Sequence, residues 1–483
     1  MKTFKKVLLW LAAIPLVLIA AVVVVQTYYA LTPVPLSKQA EELNARAAKL
    51  PTVTENGYRV YGLLAPQGQD PIVYGKCLVA MDKRRWDEEE ARGSDVPSMD
   101  DQPAWDAYLK SLSERLTELS QTCLAGGTPL AMPEALSNTR IKIGMPNESW
   151  RTLADATPDS TLIARASAGL ADGPRRLGAD IKSPVPLMSS LIAFQKWRIS
   201  SGVLAWESGD RMSAIGSWAT DLGHWGASAD GSLLESMLAV SAQTQILVAM
   251  QTRVSSVDRM DEATALAARE AIRPVEKMSH AIAESMVWEW KLGSSTLATA
   301  AASPTLGAPF GGQRNFVQRA TARVAALTFD GGDTLSRLAE TNLWTQDALR
   351  KTAEGKAAPD MPLEWAAFGC TTEGDWGLLC LPFMRNPIGR VLVAIGAPQY
   401  TSYGTRVADL RNLASATRLT IEARRRGLSG DALAAFVANA PADMRDVFTG
   451  KPFEYDAAKK ELRPVLREKN TVLGEKGPYA LPL

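Results

Sequence analysis

The chain has 483 residues, with 53 lysines and arginines against 52 aspartates and glutamates, for a formal net charge of +1. That balance offers nucleic acid no basic footprint, and 46% hydrophobic with 22% charged residues describes a globular protein with a real core rather than a disordered chain. Only two histidines limit imidazole-based metal or acid–base chemistry, and four cysteines with no C-x-x-C spacing argue against a zinc ribbon or a thioredoxin-type site.

The first element in chain order is Val7 to Val25, VLLWLAAIPLVLIAAVVVV, which carries no charge. About 19 residues at 1.5 Å each span roughly 29 Å, enough to cross a bilayer core. Lys2, Lys5 and Lys6 precede the run and the next charge is Lys38, so the positive-inside rule keeps the short end in the cytoplasm and sends the large body across the membrane. Trp10, Tyr28 and Tyr29 sit at heights where aromatic rings favour the headgroup region. A cleaved signal peptide is the rival reading. Its apolar core is usually shorter, and Tyr28 would fill a position where cleavage needs a small residue.

Leu31–Leu36, with Pro33 and Pro35, reads as an extended spacer. Ser37 caps a helix that ends before Pro51. Asn56-Gly57 signals a turn, followed by the apolar cluster Tyr58, Val60, Tyr61, Leu63 and Leu64. Asp70-Pro71 starts a helix that runs through Cys77 into DKRRWDEEEARG. After a polar loop at 93–102, Trp105, Tyr108, Leu109, Leu112, Leu116, Leu119 and Cys123 recur at helical steps. The two helices form a candidate hairpin, and residues 126–149, with three prolines, read as loop-rich before short helical pieces to Leu170.

The strongest helical stretch is 186–300, with helices expected near 186–208, 211–226, 231–255 and 258–292 and a break at Pro274. Short links imply antiparallel neighbours stacked as helical hairpins, in the manner of an α-solenoid, although no fixed repeat is present. Beyond a linker at 301–314 come helices at 315–327, 334–354, 403–427 and 429–439, with an apolar, glycine-punctuated segment at 363–400. The tail 446–464 reads as a turn and a small β-hairpin.

The expected architecture is therefore mainly α. It comprises an N-terminal tip and transmembrane anchor (1–31), a spacer or stalk (32–55), a helical-hairpin subdomain (56–185), a central bundle (186–300) and a C-terminal helical region with a disulfide loop and a β-hairpin tail (301–483). The neighbourhoods of the cysteines suggest Cys77–Cys123 and Cys370–Cys380 as disulfides in an oxidising compartment, with free buried thiols as the alternative.

Two stretches carry a resemblance. NGYRVYGLLAPQGQDPIVYG, from Asn56 to Gly75, and AIGSWATDLGHWGASADGSLLESMLAV, from Ala214 to Val240, are similar to segments of a group of uncharacterised proteobacterial single-pass inner-membrane proteins. RNPIGRVLVAI, the RRRG helix end and DVFTGKPFEYD resemble that group's closing region. The resemblance implies an all-helical periplasmic body on an inner-membrane anchor, and it brings no catalytic residues with it.

Candidate chemistry is sparse. Trp218, Trp225, Trp288 and Trp290 concentrate in the central helices, where they either line a groove for a peptide, glycan or lipid or fill the core. Glu276, His280 and Glu284 fall four apart, hence on one helix face, where they could bind a metal or shuttle a proton; a solvated face is the plainer reading. His224 lies near a helix end, and Asp95, Asp100 and Asp101 lack EF-hand spacing. No phosphate loop, dinucleotide fingerprint, G-x-S-x-G elbow or S-x-x-K pair occurs, and no cofactor is indicated. The expected function is an anchored interaction or scaffold protein of the bacterial envelope, bound to lipid through its anchor and to an envelope protein partner. The alternatives are a periplasmic lipid- or glycan-binding module, favoured by a deep apolar cavity and disfavoured by a filled core, or an envelope enzyme with several carboxylates, for instance Glu207 or Glu235 with Glu284, gathered in one pocket.

Overall fold

The computed structural model describes residues 21–51, 53–92, 127–171, 188–302, 329–360 and 400–483, with scattered positions within 102–123 and 385–393. The described chain is mainly helical, with small antiparallel strands at its C-terminal end. Its helices are α1 (Ala21–Leu31), then α2 (Lys38–Ala48), α3 (Glu55–Tyr61), α4 (Pro71–Arg92), α5 (Glu134–Asn138), α6 (Asn147–Asp155) and α7 (Ser160–Ala171). The central set is α8 (Met188–Glu207), α9 (Arg211–Ser228), α10 (Leu233–Ser255), α11 (Glu262–Ala271), α12 (Met278–Glu284) and α13 (Met286–Ala302). The last three are α14 (Gly331–Ala353), α15 (Thr401–Arg426) and α16 (Gly430–Ala438).

Local chemistry explains several of the starts. The side chains of Ser37, Asp210 and Asp261 accept the backbone N–H of Ala40, Ser213 and Thr264, satisfying amides that a helix leaves unpaired in its first turn. Ser232 and Glu235 form a reciprocal capping box at α10. Asp70 Oδ1 accepts Ile72 N–H at 2.7 Å at the start of α4. Pro274 ends the regular α-helix after α11 and opens a 3-10 turn, Arg273–Lys277, because a prolyl nitrogen has no proton for an i−4 carbonyl.

At Asn56-Gly57 the structure corrects the sequence reading. Thr54 accepts Gly57 N–H at 3.1 Å and starts α3 there, while Asn56 is buried and donates to Gly169 O. A strong N-cap and a tertiary hydrogen bond outweigh the turn preference of the dipeptide.

The body is organised around α10. It is apolar and long enough to cross a membrane, yet 78% of its apolar window is buried inside the protein. Helices α8, α9 and α10 pack on one another, α10 also lies against α15, and α15 lies against α14. Helix α2 returns to pack on α13 and α14. These long-range pairings differ from a solenoid, in which each hairpin touches only its sequence neighbours. One continuous set of buried side chains runs from Val60 to Leu483, drawing on 56–185, 186–300 and 301–483 alike.

The expected hairpin is present as β1 (Tyr455–Asp456) paired with β2 (Glu461–Leu462), Tyr455 facing Leu462. The chain end adds more. Strand β5 (Leu481–Pro482) pairs with β2, and β3 (Val465–Leu466) pairs with β4 (Gly477–Pro478). Leu462, Leu466, Leu481 and Leu483 are buried in the main core, and Gln251 of α10 donates to Pro482 O at 2.6 Å. Cys77 and Cys123 form a disulfide. Cys370 and Cys380 lie outside the described residues, as do the aspartates at 95, 100 and 101 and the helix expected at 315–327. The amphipathic helix expected from 103 to 123 is described only at scattered positions.

Candidate functional site

The tryptophans proposed as a groove are core side chains. Trp218 and Trp225 are fully buried, and Trp288 and Trp290 are 2% and 1% exposed. Each indole N–H reaches a protein acceptor: Ile199 O for Trp218, Gln195 Oε1 for Trp225, Asp230 O for Trp288 and Asn44 Oδ1 for Trp290. A filled core of this kind counts against the groove. Trp225 belongs to a polar chain beneath α8 and α9. Gln195 donates to Asp221 Oδ2 at 2.9 Å, and Arg198 Nε donates to both Asp221 oxygens at 2.9 and 3.0 Å. Asp221 is fully buried, so this chain satisfies a carboxylate that burial would otherwise penalise.

Apart from His280 and Glu284, the remaining sequence candidates are scattered rather than gathered. Glu276 sits on the 3-10 turn and pairs with Arg418, while Glu284 on α12 pairs with Arg46 at 2.9 Å. Glu276 falls in the 3-10 turn, while His280 and Glu284 share α12 and line one cleft, so only two of the three are brought together. Glu207 pairs with Arg253, and Glu235 is spent on its capping box. His224 is half-buried within α9. Among the described residues, no group of three histidine, cysteine or acidic side chains is placed to hold a metal ion.

Two arrangements were not visible in the sequence. The first is a collar around the spacer that succeeds α1. Asp330 caps α14 through Oδ1, accepting Asp333 N–H at 3.1 Å, and its Oδ2 accepts Val34 N–H at 3.0 Å. Ser336 Oγ accepts Ser37 N–H at 2.9 Å. Arg385 reaches Thr32 Oγ1 at 3.3 Å, stands 5.3 Å over the Tyr29 ring and pairs with Asp330. Asn386, 1% exposed, ties the collar together by donating to Asp330 O, Asp333 Oδ2 and Thr334 Oγ1. Gly332 is needed where the spacer crosses, since a Cβ there would collide with Val34 O. The spacer is thus bolted to the body by segments about 300 residues away in sequence, as the 296-residue separation of the Val34–Asp330 bond shows.

The second is a pair of polar clefts. One, of about 280 Å³, lies between α2, α12 and α14 and contains the Arg46–Glu284 pair, His280, Gln346 and Arg350. Gln346 Nε2 donates to Glu284 Oε1 at 3.1 Å, so this cleft's central carboxylate is held by an arginine and an amide. The other, of about 460 Å³, lies between α15, the 3-10 turn and the segment at 442–450. No family model, curated protein or solved structure matches this chain.

Proposed function

We propose that this chain is a single-pass inner-membrane protein of the bacterial envelope whose helical body stands in the periplasm and serves as an interaction platform. The observation that carries the reading is the exposed apolar surface of α1. Val23, Val24, Tyr28 and Leu31 are 57%, 67%, 63% and 77% exposed, so this apolar helix spends little of its surface on the body. Such a surface needs an apolar medium. The charge-free run that leads into it, the three preceding lysines and the Tyr28–Tyr29 pair at its end favour a bilayer.

The collar gives the platform an orientation. A free proline spacer would let the body swing about its anchor. Here Val34 and Ser37 are hydrogen-bonded to Asp330 and Ser336 at the start of α14, which supports a body held at one angle to its anchor. An orientation-locked body suits a protein that presents one face to a neighbour rather than one that searches the envelope on a flexible tether. The disulfide between Cys77 and Cys123 is compatible with an oxidising compartment.

Two measurements test the proposal. Full-length protein should sediment with inner membranes and stay there after alkaline carbonate washing, whereas a chain beginning at Ser37 should be released. Recovery of the full-length chain in the soluble fraction would refute the anchor. Photo-crosslinking in cells from Met212, Leu234 and Leu266, which are exposed apolar side chains, should capture one envelope protein reproducibly from at least one site. Capture of lipid or glycan alone would replace the platform with a binding module.

A further inference from the structure

Along α15, positions 411, 414, 415 and 418 form a single stripe at i, i+3, i+4 and i+7. They read arginine, alanine, serine, arginine, and all four line the larger cleft. Two turns separate the arginines, about 10 Å along the axis. The small residues between them leave an open floor that carries the Ser415 hydroxyl. Arg445 faces this floor from the segment after α16.

That opposite wall is built to stay in place. Asn412 donates to Asp446 Oδ2 at 3.1 Å and accepts Val447 N–H at 2.9 Å. Asp446 Oδ1 accepts the N–H groups of Phe448 and Thr449. Gly355, just past α14, adopts φ +83°, and a Cβ there would stand 2.6 Å from Val447 O. The loop is therefore seated on α14 and α15 in a way that only glycine permits.

The charges in the cleft are unevenly satisfied. Asp446 is used up by its loop, Asp443 pairs with Arg269 and Glu354 pairs with Lys356. Glu276 is paired with Arg418. Arg411 and Arg445 have no carboxylate at ion-pair distance among the described residues, and each donates to a carbonyl only: Ala353 O at 2.8 Å and Ala440 O at 2.7 Å. Burial lowers the Arg411 pKa more than nearby Glu354 and Glu276 raise it, so its charge is under-compensated where it sits. A guanidinium stays protonated regardless, and its remaining N–H groups can serve a planar or tetrahedral oxyanion.

We propose that this cleft binds a small molecule through a carboxylate or phosphate group held by Arg411, Arg445 and the Ser415 hydroxyl, with Glu276 and Glu354 accepting from the ligand's hydroxyl or ammonium donors. The volume of about 460 Å³ exceeds that of a bare anion and falls in the range of small-molecule clefts. The inference does not rest on the membrane reading, because every residue it uses belongs to the body.

The test uses the full chain in detergent micelles. Titration calorimetry with inorganic phosphate, glycerol phosphate and succinate asks for a free ligand. Titration in the same micelles with short-chain phosphatidylglycerol, against short-chain phosphatidylcholine, asks for a lipid headgroup. At least one probe should saturate in the millimolar range or below. Arg411→Gln, Arg445→Gln and Ser415→Leu should each weaken it roughly tenfold or more, the loss expected when a charge-assisted hydrogen bond or its space is removed. Arg350→Gln, in the other cleft, should bind as the parent does. Arg445 lies on a surface segment, so its variant separates lost binding from lost folding, and its unchanged Tm is the control. Failure of every probe to saturate, or full binding in Arg445→Gln and Ser415→Leu, would overturn the proposal.

Discussion

Removal of the Cys77–Cys123 bond is the perturbation with the clearest magnitude. The two residues are 46 apart in sequence, and they pack in one apolar cluster with Ala65, Tyr74 and Met81. Closing a loop of that length removes denatured-state entropy equivalent to about 4 kcal/mol at 25 °C on the chain-entropy relation. Gln69 Nε2 also donates to Cys123 O at 2.8 Å, so the staple and the 65–70 loop support each other. Cys77→Ala/Cys123→Ala should therefore lower stability by about 2–5 kcal/mol. The assay is urea unfolding of the full chain in micelles, followed by tryptophan fluorescence. The buried indoles of the central core make that signal a report on the body. A coincident unfolding midpoint for parent and double variant would refute the reasoning. Non-reducing mass spectrometry of protein taken from its native membrane should find the two cysteines linked, since the bond persists only where the compartment is oxidising.

Three further outcomes rest on the geometry. Asp221→Ala leaves Gln195 and Arg198 without their acceptor in a closed core and should cost about 3–5 kcal/mol by denaturant unfolding; a loss below about 1 kcal/mol would mean the polar chain is dispensable. Gly332→Ala should push the spacer off α14 at a cost of about 1–3 kcal/mol, seen as faster proteolysis within 32–37, and unchanged cleavage would contradict the collar. Asp409 is buried on α15 and accepts the N–H groups of Arg467 and Glu468, and burial, which outweighs those bonds, lifts its pKa from 3.8 to about 6. The folded state therefore holds the proton more tightly than the unfolded state. This group's contribution is fully present below about pH 4 and is lost as pH rises through about 6, by roughly 3 kcal/mol in all. The difference in stability-versus-pH slope between the parent and Asp409→Asn across that window checks the sign, and an opposite slope difference would refute it.

The helices of the body were legible because their signals are local. Ser37, Asp70-Pro71 and Pro274 each act within one turn of where they sit, and each marks a boundary found in the structure. The same locality misled at Asn56-Gly57, where the competing hydrogen bond comes from Gly169. The tryptophans were visible as a concentration but not as a groove or a core. What decides between the two is whether acceptors such as Gln195 and Asn44 lie opposite their N–H groups, and that is a tertiary fact. The collar joins segments near 34, 330 and 386, and no local pattern announces such a meeting. The stripe on α15 carries arginines only at its two ends, Arg411 and Arg418, and what makes it a cleft is the facing segment at 442–450, which is a tertiary fact.

The most direct measurement of the central claim is the side of the membrane on which the body lies. A reporter active only outside the cytoplasm and one active only inside it, each fused to the C-terminus of the full-length chain, should give opposite results. Activity of the extracytoplasmic reporter alone is the expected outcome for an anchor with its lysines inside and its body in the periplasm. Activity of the cytoplasmic reporter alone would contradict the account.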